Sequence, residues 1–322
     1  MKRLLSAALG VATLWCVSPA ISADAPHFFY INKDGNDSWF VEEVAGAKAE
    51  AEKLGAQFTS QNVDFDSNRT TVAVDTAIAA NAKGIVIVVP EQKIGPAVLK
   101  KAKDAGIPMI AVDDTIKDET GKDAPFVGFS SVAIGKQVGE VVADMDKKLG
   151  WGKPGPETAV IAAEAQTVSV CMDRTDNAIA VLKDRLGMTD KQVIHLAVPD
   201  TQDNAMTTAS QALVAYPNVK KWLIVACNDN GVLGVVRALE QAGFQADDMI
   251  GVGINGQIAC EEFKKPQATG FKGSIFVDSR VHGATAIREL YANVTKAEAI
   301  PARTIIEGHL ITRDDNAIAC KR

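Results

Sequence analysis

Polar side chains able to bind or to transfer protons recur at the ends of apolar runs in this sequence. Lys33, Asp37, Trp39 and Phe40 follow the run FFYI (28–31). Asp113 and Asp114 follow IPMIAV, Asn228 follows WLIVAC, and Asn255 follows MIGVGI. Two chemistries are open to such a set. Hydroxyl groups both donate and accept hydrogen bonds, and a planar carboxylate, amide or guanidinium can meet two adjacent ones. An aromatic ring offers an apolar surface to the C–H face of a pyranose. The combination suits a neutral sugar. The second chemistry is proton transfer, with Asp113 and Asp114 as general acid and base and Asp37 as a third carboxylate. An exported sugar-processing hydrolase or isomerase is therefore the alternative to simple binding.

Each residue also has a plain structural reading. Asp and Asn cap helices well, and Asp229 reads as the cap of the helix that begins around Gly231-Val232-Leu233. Trp39 and Phe40 could be core residues of the first helix. Neighbours on a helix point about 100° apart, however, so the pair is not expected to face inward together.

Other chemistries find less support. The chain contains no G-x-S-x-G elbow and no H-E-x-x-H helix. Cys227 as a nucleophile has no histidine close to it in sequence. His27, His195, His282 and His309 are scattered and read as surface or core histidines, and the cysteine spacing fits no zinc motif. GVGING (251–256) matches G-x-G-x-x-G after a strand. It falls late in the chain, and no acid ends a strand about 20 residues on, as a dinucleotide site requires. No cofactor and no metal is expected.

The elements that must position these residues alternate. Strand-like runs lie at 27–32, 56–63, 84–90, 107–113, 125–129, 158–163, 192–198, 222–227, 249–254 and 271–276. Helical patterns lie at 38–54, 69–82, 93–105, 131–149, 173–186, 203–215, 229–242, 257–265 and 281–296. Several strands are continuously apolar, as in parallel sheets covered by helices on both faces. The order predicts an α/β fold. GIVIVVP, helix, AGIPMIAVDD in the first half echoes KWLIVACND, helix, AGFQADDMIGVGING in the second. Two similar lobes follow, joined by short crossings, since no Gly/Ser-rich linker is present. In open parallel sheets ligands bind beyond the carboxyl ends of the strands, where the polar residues sit.

The chain has 322 residues, 47% of them apolar, enough for two domains. Lys2 and Arg3, the apolar stretch 4–17 and PAISA (19–23) form the pattern of a signal peptide cleaved near Ala23. The stretch is shorter than the ~20 residues of a membrane span, and Thr13-Leu14-Trp15 does not suit lipidation of Cys16. Removing Lys2 and Arg3 from the 34 basic residues leaves 32 against 40 acidic ones, a formal charge of −8. That argues against nucleic acid as a partner. A DNA-binding segment is not expected where the signal peptide stands. Cys171, Cys227, Cys260 and Cys320 remain in an exported chain, and three full pairings are open.

The segments KDGNDSWF (33–40), AKGIVIVVPEQKIGPAVLKKAKDAGIPMIAVDD (82–114), VKKWLIVACNDNGVLGVVRA (219–238), IGVGING (250–256), QATGFKGS (267–274) and HLITRDDN (309–316) carry a closer likeness. They resemble the bacterial periplasmic sugar-binding proteins of ABC importers, and among them the L-arabinose binders. The resemblance covers nearly all of the mature chain. It implies two Rossmann-like lobes, the periplasmic binding protein type I fold, joined by a three-strand hinge near 129–131, 276–278 and 307–309. The N-terminal lobe would take 26–130 with 278–307, and the C-terminal lobe 131–277 with 308–322. It further implies a monosaccharide in the inter-lobe cleft, a membrane ABC permease as partner, and a monomeric protein.

Carried onto this chain, the sugar-contacting positions are Lys33, Asp37 (a shorter acid than the family's Glu), Trp39, Phe40, Asp113, Asp114, Arg174, Asn228 and Asn255. Asp113 would lie near the anomeric and ring region. Arg174 aligns across a two-residue insertion. Three positions depart from the family. Phe129 and Cys227 each replace a Met beside the pocket, and Ile258 replaces an Asp that helps bind the ligand. Phe129 would disfavour a C5 hydroxymethyl group, and Ile258 would suit a deoxy sugar.

Overall fold

The computed structural model describes residues 25–198, 201–314 and 320. The expected signal peptide at 1–23 and most of the tail beyond 314 lie outside the described residues. The chain runs β1 (His27–Asn32), α1 (Ser38–Lys53), β2 (Gln57–Asn62), α2 (Ser67–Ala79), β3 (Gly84–Ile87), α3 (Gly95–Asp104), β4 (Met109–Val112) and β5 (Phe126–Gly128). It continues through α4 (Ser131–Leu149), β6 (Thr158–Glu164), α5 (Ser169–Leu186), β7 (Val193–Ala197), α6 (Gln202–Leu213), β8 (Lys221–Ala226), α7 (Asp229–Gln241), β9 (Met249–Asn255), α8 (Gln257–Phe263) and β10 (Phe271–Phe276). It closes with α9 (Ser279–Lys296), β11 (Arg303–Ile305) and β12 (His309–Thr312).

Two six-stranded sheets result, ordered β11-β5-β4-β3-β1-β2 and β12-β10-β9-β8-β6-β7. Their inner strands are apolar throughout because helices cover both faces. In the first sheet Phe29, Ile31, Ile85 and Ile87 face one helical layer, while Phe28, Tyr30, Val86 and Ile110 face the other. In the second, Ile161, Trp222 and Ile224 face one layer, and Val160, Leu223 and Val225 the other. The chain passes between the sheets after β5, after β10 and between β11 and β12. Among the described residues no helix is long and apolar enough to cross a membrane.

The structure departs from the sequence reading at three places. β11 and β12 are three- and four-residue edge strands with mixed polarity, too short and too exposed to give a pattern. β12 runs antiparallel to β10, whereas the other pairings are parallel. It arrives from the opposite lobe directly, with no crossover helix to reverse its direction. α5 begins at Ser169, four residues earlier than its hydrophobic spacing indicates.

Glycines let two helix pairs approach closely. A Cβ on Gly283 of α9 would lie 2.0 Å from the carbonyl oxygen of Glu43 in α1, and one on Gly46 would lie 2.2 Å from that of Arg280. In the other lobe a Cβ on Gly135 of α4 would lie 2.3 Å from the Arg174 carbonyl oxygen of α5. Both pairs stand directly beside the candidate residues.

Candidate functional site

The loop after β1 carries the first group. Asp37 caps α1, its carboxylate accepting from the Trp39 backbone N–H at 2.7 Å. Trp39 is buried and Phe40 half-buried, so the adjacent rings divide between inside and rim. The Trp39 indole N–H donates to Asp113 Oδ2 at 2.5 Å. Lys33 Nζ sits 5.1 Å from the Phe40 ring centroid and donates to Asp114 Oδ2 at 2.5 Å. Asp113, beyond the end of β4, has φ 61°, and Asn255, ending β9, has φ 104°. Non-glycine residues in this region are strained by roughly 1–3 kcal/mol, and such strain clusters at functional sites.

The second lobe supplies the facing group. Asn228 caps α7, accepting from the Gly231 N–H at 3.2 Å. Asn255 and Ile258 flank the start of α8. Asp37, Trp39, Asn228, Asn255 and Ile258 line one cavity at the meeting of the lobes, with Ser38, Asp229, Asn230 and Gln257. Its volume is about 10 Å³, room for about one water. The lobes are closed over it. Asn230 Nδ2 lies 3.5 Å from Asp37 Oδ2, and the Ser169 hydroxyl donates to Gln92 Oε1 at 2.5 Å across the gap.

Arg174 extends this set. Its Nη1 donates to the Cys227 carbonyl oxygen at 2.8 Å, and its guanidinium lies 4.7 Å from the Phe129 ring centroid. Phe129 in turn meets Trp39 edge-on at 6.0 Å. Five of the twelve residues singled out in the sequence, Asp37, Trp39, Asn228, Asn255 and Ile258, line the cavity; Lys33, Phe40, Asp113, Asp114, Phe129, Arg174 and Cys227 do not, and adjoin it through contacts with Trp39 and with one another. Cys227 is bonded to Cys171, and Cys260 to Cys320, which settles the pairing that spacing left open.

Behind Asp113 lies a group that the sequence reading did not assemble. His282, fully buried at the start of α9, contacts Asp113 Oδ1 through Nδ1 at 3.0 Å and Glu43 Oε1 at 3.6 Å. Burial alone would lower the His282 pKa. The hydrogen bond to Asp113 and the nearby carboxyl groups of Asp113 and Glu43 outweigh it and raise the pKa to about 9. Burial acts to raise the Asp113 pKa, yet His282, the Trp39 N–H and Lys33 together hold it below the ordinary carboxylate value. Glu43 is pushed up to about 8 by burial and by the Asp113 charge, against the opposing pull of His282. Glu43, Asp113 and His282 each present one ligand atom within 4.8 Å of the others, a donor set that could hold a cation. A charged imidazole between the two acids already supplies the positive charge. Asp37, facing the cavity, is raised by burial.

Glu43 lies four residues after Trp39, on the same face of α1, and an acid on a buried face was the available signal. Nothing in the spacing tied His282 to a residue 169 positions away. Asp229 requires a correction. It does not cap its own helix, because Asn228 does. Its buried carboxylate instead accepts from the Gly256 and Ala259 N–H groups and the Ser274 hydroxyl, holding the start of α8. Burial raises its pKa to about 7 against those bonds.

Comparison with known proteins agrees with this architecture. The periplasmic binding protein domain matches residues 28–298. The chain is 35% identical over 317 residues to the ABC transporter L-arabinose-binding periplasmic protein of Azospirillum brasilense, covering 97% of this chain and 93% of that protein. It is 35% identical over 314 residues to the L-arabinose-binding periplasmic protein of Escherichia coli K12, covering 96% and 94%. The fold superposes on an ABC transporter periplasmic solute-binding protein from Actinobacillus succinogenes with bound D-allose, with TM-score 0.77 at 18% identity, covering 91% of this chain and 99% of that one. Domain match, relatives and architecture agree: this chain belongs to the periplasmic binding protein family.

Proposed function

We propose that this protein captures a monosaccharide, L-arabinose or a related aldose, between its lobes and delivers it to a membrane ABC permease. The observation that carries the reading is the constellation itself. Acids, amides and an indole from both lobes line one closed cavity, and Lys33, Asp113, Asp114, Phe129 and Arg174 join it through contacts with Trp39 and with one another, a set suited to a polyhydroxylated neutral ligand. The identity to two L-arabinose-binding proteins along nearly their whole length supports it.

Lys33, Asp37, Asp113, Asp114, Arg174, Asn228 and Asn255 would bond the sugar hydroxyls, and Trp39 and Phe40 would pack against its C–H surface. Phe129, Cys227 and Ile258 would set the preference among aldoses. A site that has lost a hydrogen-bonding partner no longer selects for the group that partner met.

The cavity is smaller than any monosaccharide, so entry requires the lobes to part. The crossings near 129–131, 276–278 and 307–309 are the proposed hinge, dividing 26–130 with 278–307 from 131–277 with 308–322. The chain is proposed to act as a monomer in the periplasm after cleavage near Ala23. ATP hydrolysis then belongs to the permease. Catalysis by the aspartate pair finds no support in the geometry. Both Asp113 oxygens are engaged, by Trp39 and His282, Asp114 is paired with Lys33, and Asp113 is held ionised.

A thermal-shift panel on the mature protein tests the reading, with L-arabinose, D-galactose, D-fucose, D-xylose, D-ribose, D-glucose and L-rhamnose. A ligand at ~100 times its Kd stabilises by about 2.7 kcal/mol, several degrees for a protein of this size. Stabilisation by arabinose or its galacto-configured relatives is the expected result. Stabilisation by a different sugar would assign the change to Ile258 and Phe129. Absence of a shift with every sugar would overturn the reading.

A further inference from the structure

We propose that the Cys171–Cys227 disulfide is a positioning device for Arg174 in the sugar site; the inference rests on the sugar-binding reading above. Both cysteines are buried. Cys171 lies in the first turn of α5, and Cys227 stands between the end of β8 and Asn228. Arg174 is three residues beyond Cys171, on the same helical face. Its Nη1 donates to the Cys227 carbonyl oxygen at 2.8 Å and lies 3.5 Å from the Cys227 sulfur. The helix that carries the arginine is thus covalently bound to the residue that receives its guanidinium. The circuit from Cys171 along α5, through the Arg174 side chain to Cys227 and across the disulfide is closed.

The start of α5 is otherwise held weakly. Its N-cap, Val168, offers no side-chain hydrogen bond, and its first turn contains no acid. Ser169, the next residue, directs its hydroxyl across the cleft to Gln92. The apolar packing there is a small cluster of Ala165, Cys171 and Cys227 with Val168 against it. No side-chain cap fixes this turn; Gly135 of α4 packs against the Arg174 backbone beyond it, and the covalent bond ties the turn itself to Cys227. Arg is a long side chain with much rotamer freedom, and restricting it before the ligand arrives lowers the entropy lost on binding. Cys260–Cys320 differs. Cys260 belongs to the large apolar core beneath the second sheet, with Ala259 and Phe263, and the start of α8 is already held by Asp229.

The test is a calorimetric titration of the mature protein with the sugar that stabilises it most. Four variants are compared: Cys171→Ala, Cys260→Ala with Cys320→Ala, Arg174→Ala, and Arg174→Ala with Cys171→Ala. Cys171→Ala breaks the bond from the side away from the cavity and leaves the Cys227 side chain in place. It is expected to weaken affinity by about tenfold, while loss of Cys260–Cys320 changes affinity less than about twofold. In the Arg174→Ala background, Cys171→Ala is expected to cost no further affinity. A general loosening of the fold would cost the same on both backgrounds.

Wild-type affinity in Cys171→Ala, or an equal loss with and without Arg174, overturns the proposal. Wild-type affinity in Arg174→Ala removes that residue from the site and the proposal with it. Failure of the wild type to bind any sugar shows separately, before any variant is made, that the sugar-binding reading has fallen. Should Cys171→Ala not fold, mild reduction of the Cys260→Ala, Cys320→Ala protein breaks the same bond. The same tenfold loss is then expected, and unchanged affinity after reduction overturns the proposal.

Discussion

Asp113 is the residue on which most of the candidate site converges. Its backbone is left-handed, one oxygen accepts from Trp39 and the other faces His282. In the proposed site, an acid held ionised in this way would be a fixed acceptor for a sugar hydroxyl. Asp113→Ala or Asn228→Ala should each weaken sugar affinity by about 2–3 kcal/mol, since each leaves buried partners unpaired. Isothermal titration of both variants checks this, and wild-type affinity would remove them from the site. The buried group behind Asp113 also makes stability depend on pH. Glu43 titrates near 8 in the fold against 4.5 ordinarily, and His282 near 9 against 6.5. Both folded values lie above the unfolded ones, so the folded protein holds protons that the unfolded chain releases. Their contribution is complete at low pH and is lost as pH rises, across about 4.5–8 for Glu43 and 6.5–9 for His282. Asp113, lowered in the fold, contributes oppositely and only in acid. Melting temperature should therefore fall between pH 6 and pH 9. Glu43→Gln carries no charge at any pH and should flatten the decline, by up to about 1.4 kcal/mol per pH unit. Parallel curves for the two proteins would refute the assignment.

Among the elements, α1 and α9 do the positioning in the first lobe. They come from opposite ends of the sequence and touch through Gly46 and Gly283, which brings His282 within reach of Glu43 and Asp113. Gly283→Ala places a Cβ 2.0 Å from the Glu43 carbonyl oxygen, a backbone atom that cannot move aside. The helices must separate. Overpacking of this kind costs about 1–3 kcal/mol, and His282 moves with α9. Denaturant unfolding should register the stability loss, and sugar titration a weaker affinity. An alanine variant unchanged in both would show that close helix contact is not what seats His282.

For the whole molecule, the closed cavity and the contacts that bridge the lobes, Ser169 to Gln92 and Asn230 to Asp37, imply an opening motion for ligand exchange. Small-angle scattering should show a larger radius of gyration without sugar than at saturation. Ser169→Ala, which removes the Ser169–Gln92 bridge and leaves the Gln92 amide bonded to Thr115, should raise Kd by about two- to fivefold while leaving the melting temperature of the sugar-free protein unchanged. Identical scattering with and without the stabilising sugar would argue against hinge closure.

The sequence by itself determined the two-lobed α/β architecture, because continuous apolar strands that mostly alternate with amphipathic helices pack as covered parallel sheets. It also placed Asp113, Asn228 and Asn255 at strand ends, since a local pattern of apolar run followed by polar residue marks them. The short edge strands β11 and β12 carry too few residues to leave such a pattern. What only the tertiary structure decided are relations between distant positions. His282 meets Asp113 because α9 returns to the first lobe after the chain has built the second. Cys171 finds Cys227 because α5 starts beside the end of β8. Asp229 serves α8 rather than its own helix because β10 and α8 pack over it. Each depends on how the helices pack around the sheets, and local spacing carries no record of that geometry.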